Sequence, residues 1–182
     1  AKVNEAVIEF KNALKADPAS AQSHYELAMA LAKRGEYQPA YQELVRARDL
    51  QPDLIPARFQ LATLHLLNRD TKSAKEELEE IRQRNKDAKE THYLAAQIAI
   101  AEKEPDEAIR ELEEALNNEP QKAAIYLDLG QVHLSKKDFK AAEGAFRKAL
   151  ESDPKFHRAR VALAQLYVAL GNQQKGEEEL IV

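Results

Sequence analysis

Histidines are the side chains of this 182-residue chain with the widest chemistry, and four of its five recur at a fixed interval. His24 and His92 are 68 positions apart (92−24), and so are His65 and His133 (133−65). Because imidazole is a common zinc ligand, the interval raises the question of a metal site. Zinc–nitrogen bonds are near 2 Å, however, and equivalent side chains two structural units apart are too distant to share one ion. We therefore expect no metal site, and we interpret these histidines as replacements for aromatic packing residues.

Acidic pairs are the next candidates, because neighbouring carboxylates can act as a general acid and a general base. The pairs are Glu76-Glu77 and Glu79-Glu80, and the basic residues around them are Lys72, Lys75, Arg82 and Arg84. Charges that alternate at helical spacing are typical of a solvated outer helix face. The sequence also contains no Gly-rich phosphate loop, nucleophile elbow or HExxH motif. We therefore expect no catalytic residue and no cofactor.

Charge and composition narrow the choice of partner. The net charge is −4, and the 27 basic and 31 acidic residues are mixed along the chain. No basic stripe argues for nucleic acid, and no apolar run approaches the roughly 18 residues that insertion into a membrane needs. The absence of cysteine excludes disulfides and thiolate metal sites, and is compatible with the cytoplasm or with a bacterial periplasm or cell envelope.

A repeat of 34 residues organises the whole chain. Alanines that occupy the same place in similar segments, each 34 positions after the last, are Ala6, Ala40, Ala74, Ala108 and Ala142. A fixed period of roughly 20–50 residues indicates an array of stacked structural repeats.

Each repeat divides into two predicted helices. In residues 21–54, the first helix places Leu27 and Leu31 at helical spacing, the segment KRGEY interrupts the pattern, and the second helix begins before Ala40. Pro52 then stops the second helix, because proline lacks an N–H group and disfavours helix in the residue before it. Such a pair has an apolar face that only stacking can bury. The sequence therefore predicts an all-α protein of eleven helices, one followed by five pairs, without a sheet.

The repeat resembles the tetratricopeptide repeat (TPR) family, and it does so along the whole chain. In residues 123–156 the matching residues are Tyr126, Leu129, Gly130, Phe139, Ala142, Phe146, Ala149 and Pro154. In residues 21–54 they are Leu27, Ala28, Gly35, Tyr37, Ala40, Leu44, Ala47 and Pro52. The resemblance implies a right-handed α-solenoid of antiparallel helix pairs, the TPR superhelix.

Three residues depart from the family pattern. Lys86 replaces the usual proline, Ile81 replaces a small residue, and Gly176 stands where alanine is usual. The first two departures predict a looser or differently angled junction between the repeats at 55–88 and 89–122.

The ends of the chain are expected to be incomplete repeats. Full repeats are predicted at 21–54, 55–88, 89–122 and 123–156, whereas 1–20 and 157–182 are truncated. This division is typical of an interior fragment of a longer TPR protein, and the resemblance favours a bacterial one.

The helix predicted at 3–16 lacks an upstream partner. Its apolar residues Val7, Phe10 and Leu14 are therefore expected to be uncovered. Since incomplete ends of a solenoid usually need a polar cap, we expect self-association through the ends.

Function follows from what the resemblance implies about the concave face. The first helices of TPR pairs line this face, their fifth and ninth residues point into the groove, and extended peptides or partner helices bind there. The fifth residues are Tyr25, Phe59, Tyr93, Leu127 and Val161, and the ninth are Met29, Thr63, Gln97, Gln131 and Gln165. Aromatic anchors favour binding hot spots, and amide side chains can both donate to and accept from a ligand backbone.

Two interpretations of these residues compete. In one, the chain is a non-catalytic interaction scaffold that binds a protein or peptide in the groove; in the other, the aromatic residues cover the seam between repeats and the glutamines are solvated. TPR domains that bind chaperone tails use a clamp of Lys, Arg and Asn, and the groove positions tested here (Tyr25, Met29, Gln60, Glu90 and Leu94) do not provide its cations. A third alternative is a recognition domain of a larger enzyme, such as a glycosyltransferase or a sulfotransferase.

Overall fold

The computed structural model describes residues 2–84, 91–117 and 122–181. In these ranges it contains eleven α-helices and no strand, which confirms the predicted all-α fold of helix pairs. The chain divides into two compact units, residues 1–88 (unit 1) and 89–182 (unit 2). Lys86, one of the residues on which the looser junction was predicted, lies outside the described residues.

Unit 1 is built from five helices that pack in chain order. They are α1 Lys2–Ala16, α2 Ala21–Lys33, α3 Tyr37–Leu50, α4 Ile55–Leu67 and α5 Thr71–Arg84. In the numbering of the predicted repeats, α2 and α4 are first helices, whereas α1, α3 and α5 are second helices.

Unit 2 is built from six helices that also pack in chain order. They are α6 Thr91–Glu102, α7 Pro105–Leu116, α8 Lys122–Ser135, α9 Phe139–Ser152, α10 His157–Ala169 and α11 Gln173–Ile181. The first helices of this unit are α6, α8 and α10, and α8 and α10 are in direct contact.

Small residues stand where helices approach most closely in unit 1. Ala28 and Ala40, on the paired helices α2 and α3, and Ala62 and Ala74, on the paired helices α4 and α5, are all fully buried. A larger side chain at such a place would force the helices apart, because protein interiors are packed as densely as organic crystals. Ile81, one of the departures from the family pattern, is also fully buried.

In unit 2, two glycines also allow neighbouring helices to pack closely. A Cβ added at Gly130 would overlap the ring of Phe146, which is fully buried. A Cβ added at Gly176 would lie 2.7 Å from Cγ2 of Val168 and 3.0 Å from the carbonyl oxygen of Ala164. The departure at Gly176 therefore has a steric reason: α11 approaches α10 too closely for alanine.

The apolar face of α1 is covered, contrary to the expectation from the sequence. Val7 is 2% exposed, and Phe10 and Leu14 pack against the core that α1 shares with α2 and α3. Ile8, on the other side of α1, is 59% exposed. The second helix of the truncated repeat therefore uses α2 of the next repeat as its partner.

A polar contact, buried in the first two cases and half-buried in the third, joins the two helices of each of the first three pairs. In the first, Nδ1 of His24 on α2 lies 2.5 Å from Oε2 of Glu43 on α3, and its Nε2 lies 3.1 Å from the carbonyl oxygen of Pro18. His24 is 5% exposed, so its ring faces two acceptors in a site with little water. We call this arrangement the helix-pair bridge.

The next pair forms the same bridge with arginine in place of histidine. Arg58 on α4 donates from Nη1 to Glu77 on α5 at 2.6 Å and from Nε to the carbonyl oxygen of Pro52 at 2.8 Å. Arg48 on α3 donates to the other oxygen of Glu77 at 3.0 Å. Arg58 and Glu77 are 6% exposed. The expectation that Glu77 belongs to a solvated face is therefore wrong.

The third bridge joins His92 on α6 to Glu111 on α7 at 2.7 Å. In all three pairs the cationic or imidazole side chain and the glutamate are separated by 19 positions. His24 and His92 are therefore polar partners of a carboxylate, not substitutes for aromatic packing residues.

The turn within each pair contains one residue in the left-handed conformation. These residues are Gly35, Arg69, Lys103, Lys137 and Gly171, with φ between 61° and 81°. They are again spaced by 34 positions, and the amide after each donates to a carbonyl five residues earlier, as Glu36 does to Leu31 at 3.0 Å. This is the Schellman arrangement, which ends the first helix and directs the chain into the second.

Among the described helices, none is both long enough and apolar enough to cross a bilayer.

Candidate functional site

The predicted groove residues of unit 1 lie on α2 and α4. Tyr25 and Met29 on α2 and Phe59 on α4 are half-buried. Thr63 is exposed, and its hydroxyl donates to the carbonyl oxygen of Phe59 at 2.9 Å. The donor of Thr63 is thus used within its own helix, and the surface offered by this unit is mainly aromatic and aliphatic.

In unit 2, two of the predicted groove residues on α6 form hydrogen bonds to one residue that the sequence analysis did not predict as part of the site. The hydroxyl of Tyr93 donates to Oδ2 of Asp128 at 2.8 Å, and the amide of Gln97 donates to the same atom at 2.7 Å. Tyr93 and Gln97 are on α6 and Asp128 is on α8, so the carboxylate joins two first helices. This contact fixes the orientation of both side chains.

Burial raises the pKa of Asp128 above its usual value. The hydrogen bonds from Tyr93 and Gln97, and the positive charge of Arg158 on α10, act in the opposite direction without cancelling the effect of burial. One feature of the sequence could have drawn attention to this residue, because Asp128 is the only carboxylate in the mostly apolar helix α8.

The remaining four predicted residues converge on one hollow of unit 2. Leu127, Gln131, Val161 and Gln165 line a hollow of about 360 Å³ between α8 and α10, together with His157, Arg158 and Ala162. Leu127 is 1% exposed and contributes only apolar surface to its lining, whereas Val161 is 43% exposed. We call this site the α8–α10 hollow.

The α8–α10 hollow offers both apolar contact and unused hydrogen-bonding groups. Gln131 and Gln165 are exposed, and neither amide is hydrogen-bonded within the described ranges. Each amide can therefore donate to and accept from a ligand. Arg158 is exposed as well and supplies a guanidinium, which can bind a carboxylate with two parallel hydrogen bonds.

Family comparisons agree with the repeat seen in the sequence. The family model described as tetratricopeptide repeat matches residues 2–54 and 93–155, and a second model of that description matches 133–181. A model described as anaphase-promoting complex, cyclosome, subunit 3 matches residues 46–115. No curated protein matches the chain in sequence.

Solved structures share the fold at low sequence identity. The chain is similar to one in the crystal structure of the APC/C hetero-tetramer Cut9–Hcn1, with a TM-score of 0.84 and 20% identity over 98% of this chain and 36% of that one. It is also similar to a tetratricopeptide repeat protein from Parabacteroides merdae, with a TM-score of 0.83 and 15% identity over 98% of this chain and 70% of that one.

A third similar structure is YrrB, described as a TPR protein with an unusual peptide-binding site. Its TM-score is 0.64 and its identity 18%, over 94% of this chain and 88% of that one. At these identities the likeness shows the fold alone. The chain spans about a third of the Cut9–Hcn1 chain that it matches.

Proposed function

Because this chain belongs to the tetratricopeptide repeat family, we propose that it is a non-catalytic interaction scaffold that binds an extended peptide or a partner helix along its first helices. The observation that carries the proposal is the α8–α10 hollow. Four residues expected to face a ligand converge there around an open space, and the hollow combines exposed apolar surface with polar groups that have no partner in the described ranges.

In the proposed complex, the α8–α10 hollow holds one stretch of the ligand by two kinds of contact. Val161 and Leu127 contact an apolar side chain. Gln131 and Gln165, one on each helix, hydrogen-bond to backbone N–H and C=O groups of the ligand, which gives affinity without reading its sequence. Arg158 favours a ligand with a carboxylate at the adjacent position.

The aromatic residues are proposed as anchors for further stretches of ligand. Phe59 in unit 1 and Tyr93 in unit 2 are half-buried, so each presents part of a large ring at low entropic cost. Tyr93 is further fixed by its hydrogen bond to Asp128, and a pre-positioned side chain loses less freedom on binding than a mobile one. Tyr25, Met29 and Thr63 complete the proposed surface of unit 1, and Gln97 completes that of unit 2.

Two further expectations remain proposals. The repeat boundaries at 21, 55 and 157 are supported by α2, α4 and α10, which begin at these residues. Self-association through the ends is supported by exposed apolar side chains on α11, where Leu180 and Ile181 are 59% and 84% exposed, and no longer by Val7, Phe10 and Leu14. Light scattering that shows a strict monomer at high concentration would rule out self-association.

The experiment that tests the proposal is selection of a random peptide library on the immobilised chain, followed by calorimetry of the selected peptides. Val161→Arg, which fills the α8–α10 hollow, should weaken the binding of hollow-directed peptides at least about tenfold, since one buried contact of about 1.4 kcal/mol corresponds to that factor. Phe59→Ala and Tyr93→Ala should weaken anchored peptides more than Gln131→Ala does, because losing an aromatic anchor costs about 2 kcal/mol or more and a neutral hydrogen bond about 0.5–1.5 kcal/mol.

The matched control is Glu79→Lys, which changes an exposed charge on α5 and should leave binding unchanged. The proposal fails if the selected peptides bind all four groove variants as tightly as the unmodified chain. It fails equally if Glu79→Lys alone abolishes binding.

A further inference from the structure

A second hollow lies in unit 1, and none of its lining residues belongs to the proposed groove. It measures about 560 Å³ and opens between the start of α3 and the last turn of α4. The lining residues that matter here are Tyr37, Tyr41, Leu64, His65, Leu67 and Asp70. We call this site the α3–α4 hollow.

The walls of the α3–α4 hollow are aromatic and aliphatic, and they are unusually exposed. Tyr37 is 59% exposed and Leu67 is 71% exposed. Tyr41 meets His65 edge to face, with ring centroids 5.7 Å apart. Neither Tyr37 nor Tyr41 uses its hydroxyl in a hydrogen bond within the described residues. Adjacent exposed apolar side chains of this kind mark interaction sites more often than accidental exposure.

One equivalent place in unit 2, where α9 meets α10, is closed by a polar network. Positions 102 residues later (143−41, 147−45, 167−65) hold Glu143, Arg147 and Tyr167. The Tyr167 hydroxyl donates to Glu143 at 2.7 Å, and Arg147 donates to that hydroxyl at 2.6 Å and to Glu143 at 3.1 Å. Tyr167 is 4% exposed. The polar groups of these three side chains are therefore hydrogen-bonded to one another.

In the α3–α4 hollow, the residues at the same positions are Tyr41, Val45 and His65. The carboxylate and the guanidinium of unit 2 are thus replaced by a phenol and an isopropyl group, which cannot form the network. Because the helices at the two places follow the same repeat, the difference is in side-chain chemistry. The α3–α4 hollow therefore has no such network of the protein's own side chains across its walls.

The charge of the α3–α4 hollow restricts what can occupy it. Asp70 accepts a hydrogen bond from the amide of Ser73 at 3.0 Å and lies 3.5 Å from Nδ1 of His65. Hydrogen bonding by Ser73 lowers the pKa of Asp70, so the carboxylate is ionised at neutral pH. No lysine or arginine lines the hollow. An apolar cavity with one anionic edge is complementary to an apolar side chain that lies next to a cation.

We infer that the α3–α4 hollow binds a second protein segment, in which a large aliphatic or aromatic side chain enters between Tyr41 and Leu67 and a neighbouring lysine or arginine pairs with Asp70. This site is separate from the first-helix face. The chain therefore has the surfaces to hold two different partner segments at once.

Disulfide tethering tests the inference, because the chain has no cysteine of its own. Gln38→Cys places a single thiol on the lining of the hollow. The probes are three synthetic peptides with an N-terminal cysteine that differ only at two positions: Leu with Lys, Leu with Glu, and Ser with Lys. The fraction of conjugated protein is measured by intact mass at increasing 2-mercaptoethanol. Tethering supplies a high effective concentration, which makes weak contacts measurable.

The Leu–Lys peptide should remain conjugated at about fivefold more 2-mercaptoethanol than either of the other peptides. This preference should disappear when Tyr41→Glu, Val45→Arg and His65→Tyr transfer the network of unit 2 to unit 1. Should the triple variant not fold, as judged by circular dichroism, Leu67→Ser provides a milder test and should reduce the preference at least about twofold.

Three results would overturn the inference. Equal conjugation of the three peptides would show that the hollow selects nothing, and preference for the Leu–Glu peptide would show that Asp70 does not set its charge selectivity. A disulfide-linked dimer formed in preference to any peptide adduct would identify the occupant as a second copy of this chain. Val161→Arg serves as the matched control, since it alters the other hollow and should leave tethering unchanged.

Discussion

Glu43 and His24 approach within 2.5 Å although they lie on different helices, and the same separation of 19 positions recurs at Arg58–Glu77 and His92–Glu111. Histidine and arginine thus perform one task at equivalent positions: each faces a carboxylate of the second helix, and in the first two bridges also the carbonyl oxygen six residues before it. Both side chains present nitrogen atoms on two sides, so each can lie against two oxygen atoms at once; in histidine the tautomer decides which ring nitrogen carries the proton.

This equivalence predicts that the bridging residue can be exchanged. His24→Arg should lower the free energy of unfolding less than a substitution without a donor, since Arg58 shows that arginine can make both contacts at the equivalent position. His24→Leu, which has no donor, should lower it by about 1–3 kcal/mol because Glu43 and the carbonyl oxygen of Pro18 lose their partners. Urea unfolding followed by circular dichroism measures both. Equal losses in the two variants would show that shape, not hydrogen bonding, decides.

Removing the carboxylate of the second bridge should be more costly. Glu77→Ala leaves the 6%-exposed Arg58 without its closest carboxylate, and breaking a buried ion pair in this way costs about 3–5 kcal/mol. The matched control is Glu76→Ala, whose side chain is 67% exposed and lies 3.9 Å from Lys72. Its loss should be below about 1 kcal/mol. A small effect of Glu77→Ala in urea unfolding would mean that Arg48 and Arg58 reach water when the carboxylate is removed.

Two glycines should respond with opposite signs to the same substitution. Gly35 has φ +81° and Gly144 lies within α9, and an added Cβ would have open space at both. Gly35→Ala should cost about 1–2 kcal/mol, because left-handed backbone is unfavourable for residues with a Cβ. Gly144→Ala should stabilise by about 0.5–1 kcal/mol, because alanine favours helix over glycine. Thermal unfolding should therefore give melting temperatures on either side of the original one.

Because α8 and α9 are in close contact, we expect one substitution there to lower the free energy of unfolding and a second substitution to compensate for part of that decrease. Gly130→Ala places a methyl group where the Phe146 ring lies, and overpacking of this kind typically costs about 1–3 kcal/mol. Phe146→Leu creates space at the same point, so the double variant should be more stable than the sum of the two single losses predicts. Denaturant unfolding of the four proteins measures this coupling. Strict additivity would indicate that the ring moves aside without cost.

Because burial raises the pKa of Asp128, we expect this residue to make stability depend on pH. Its pKa is raised in the folded protein, so the folded state binds more protons than the unfolded state between the usual value of 3.8 and the raised value. The contribution of Asp128 to stability should therefore fall as pH rises through this window. Asp128→Asn should remove this fall, and it should also keep an acceptor for Tyr93. Thermal unfolding across the acidic range checks the prediction, which is wrong if Asp128→Asn leaves the slope of that window unchanged.

The fold could be predicted from the sequence because it depends on the spacing of residues along the chain. Alanines every 34 positions, proline or a polar break after each helix and helical periodicity between them are local signals, and the structure has helices where they predict them. Nine of the ten predicted site residues are half-buried or exposed on first helices, and the exception is Leu127, which is buried. Among the nine, Thr63 uses its hydroxyl within its own helix.

The polar contacts could not be predicted in the same way, because they depend on distances between helices. His24 and His92 were recognised as equivalent, but Arg58 stands midway between them, and only the positions of Glu43, Glu77 and Glu111 reveal what the three share. Asp128 has an acidic counterpart at Glu26, but Gln60, Leu94 and Ala162 occupy the other equivalent positions, so no regular recurrence marks it. The α3–α4 hollow lies where the polar network of α9 and α10 has no equivalent, and the 34-residue pattern does not show whether three such side chains will meet in space.

The helix-pair bridge has a consequence for how such an array changes in length during evolution. Both of its side chains, 19 positions apart, lie within one 34-residue segment, and the carbonyl oxygen that completes it lies only six residues before the first of them. A duplication or deletion of one whole segment therefore carries each buried charge together with its partner. Lengthening or shortening the gene in steps of 102 nucleotides would leave no glutamate without its partner, whereas a change of another size between the two residues would alter the 19-position separation.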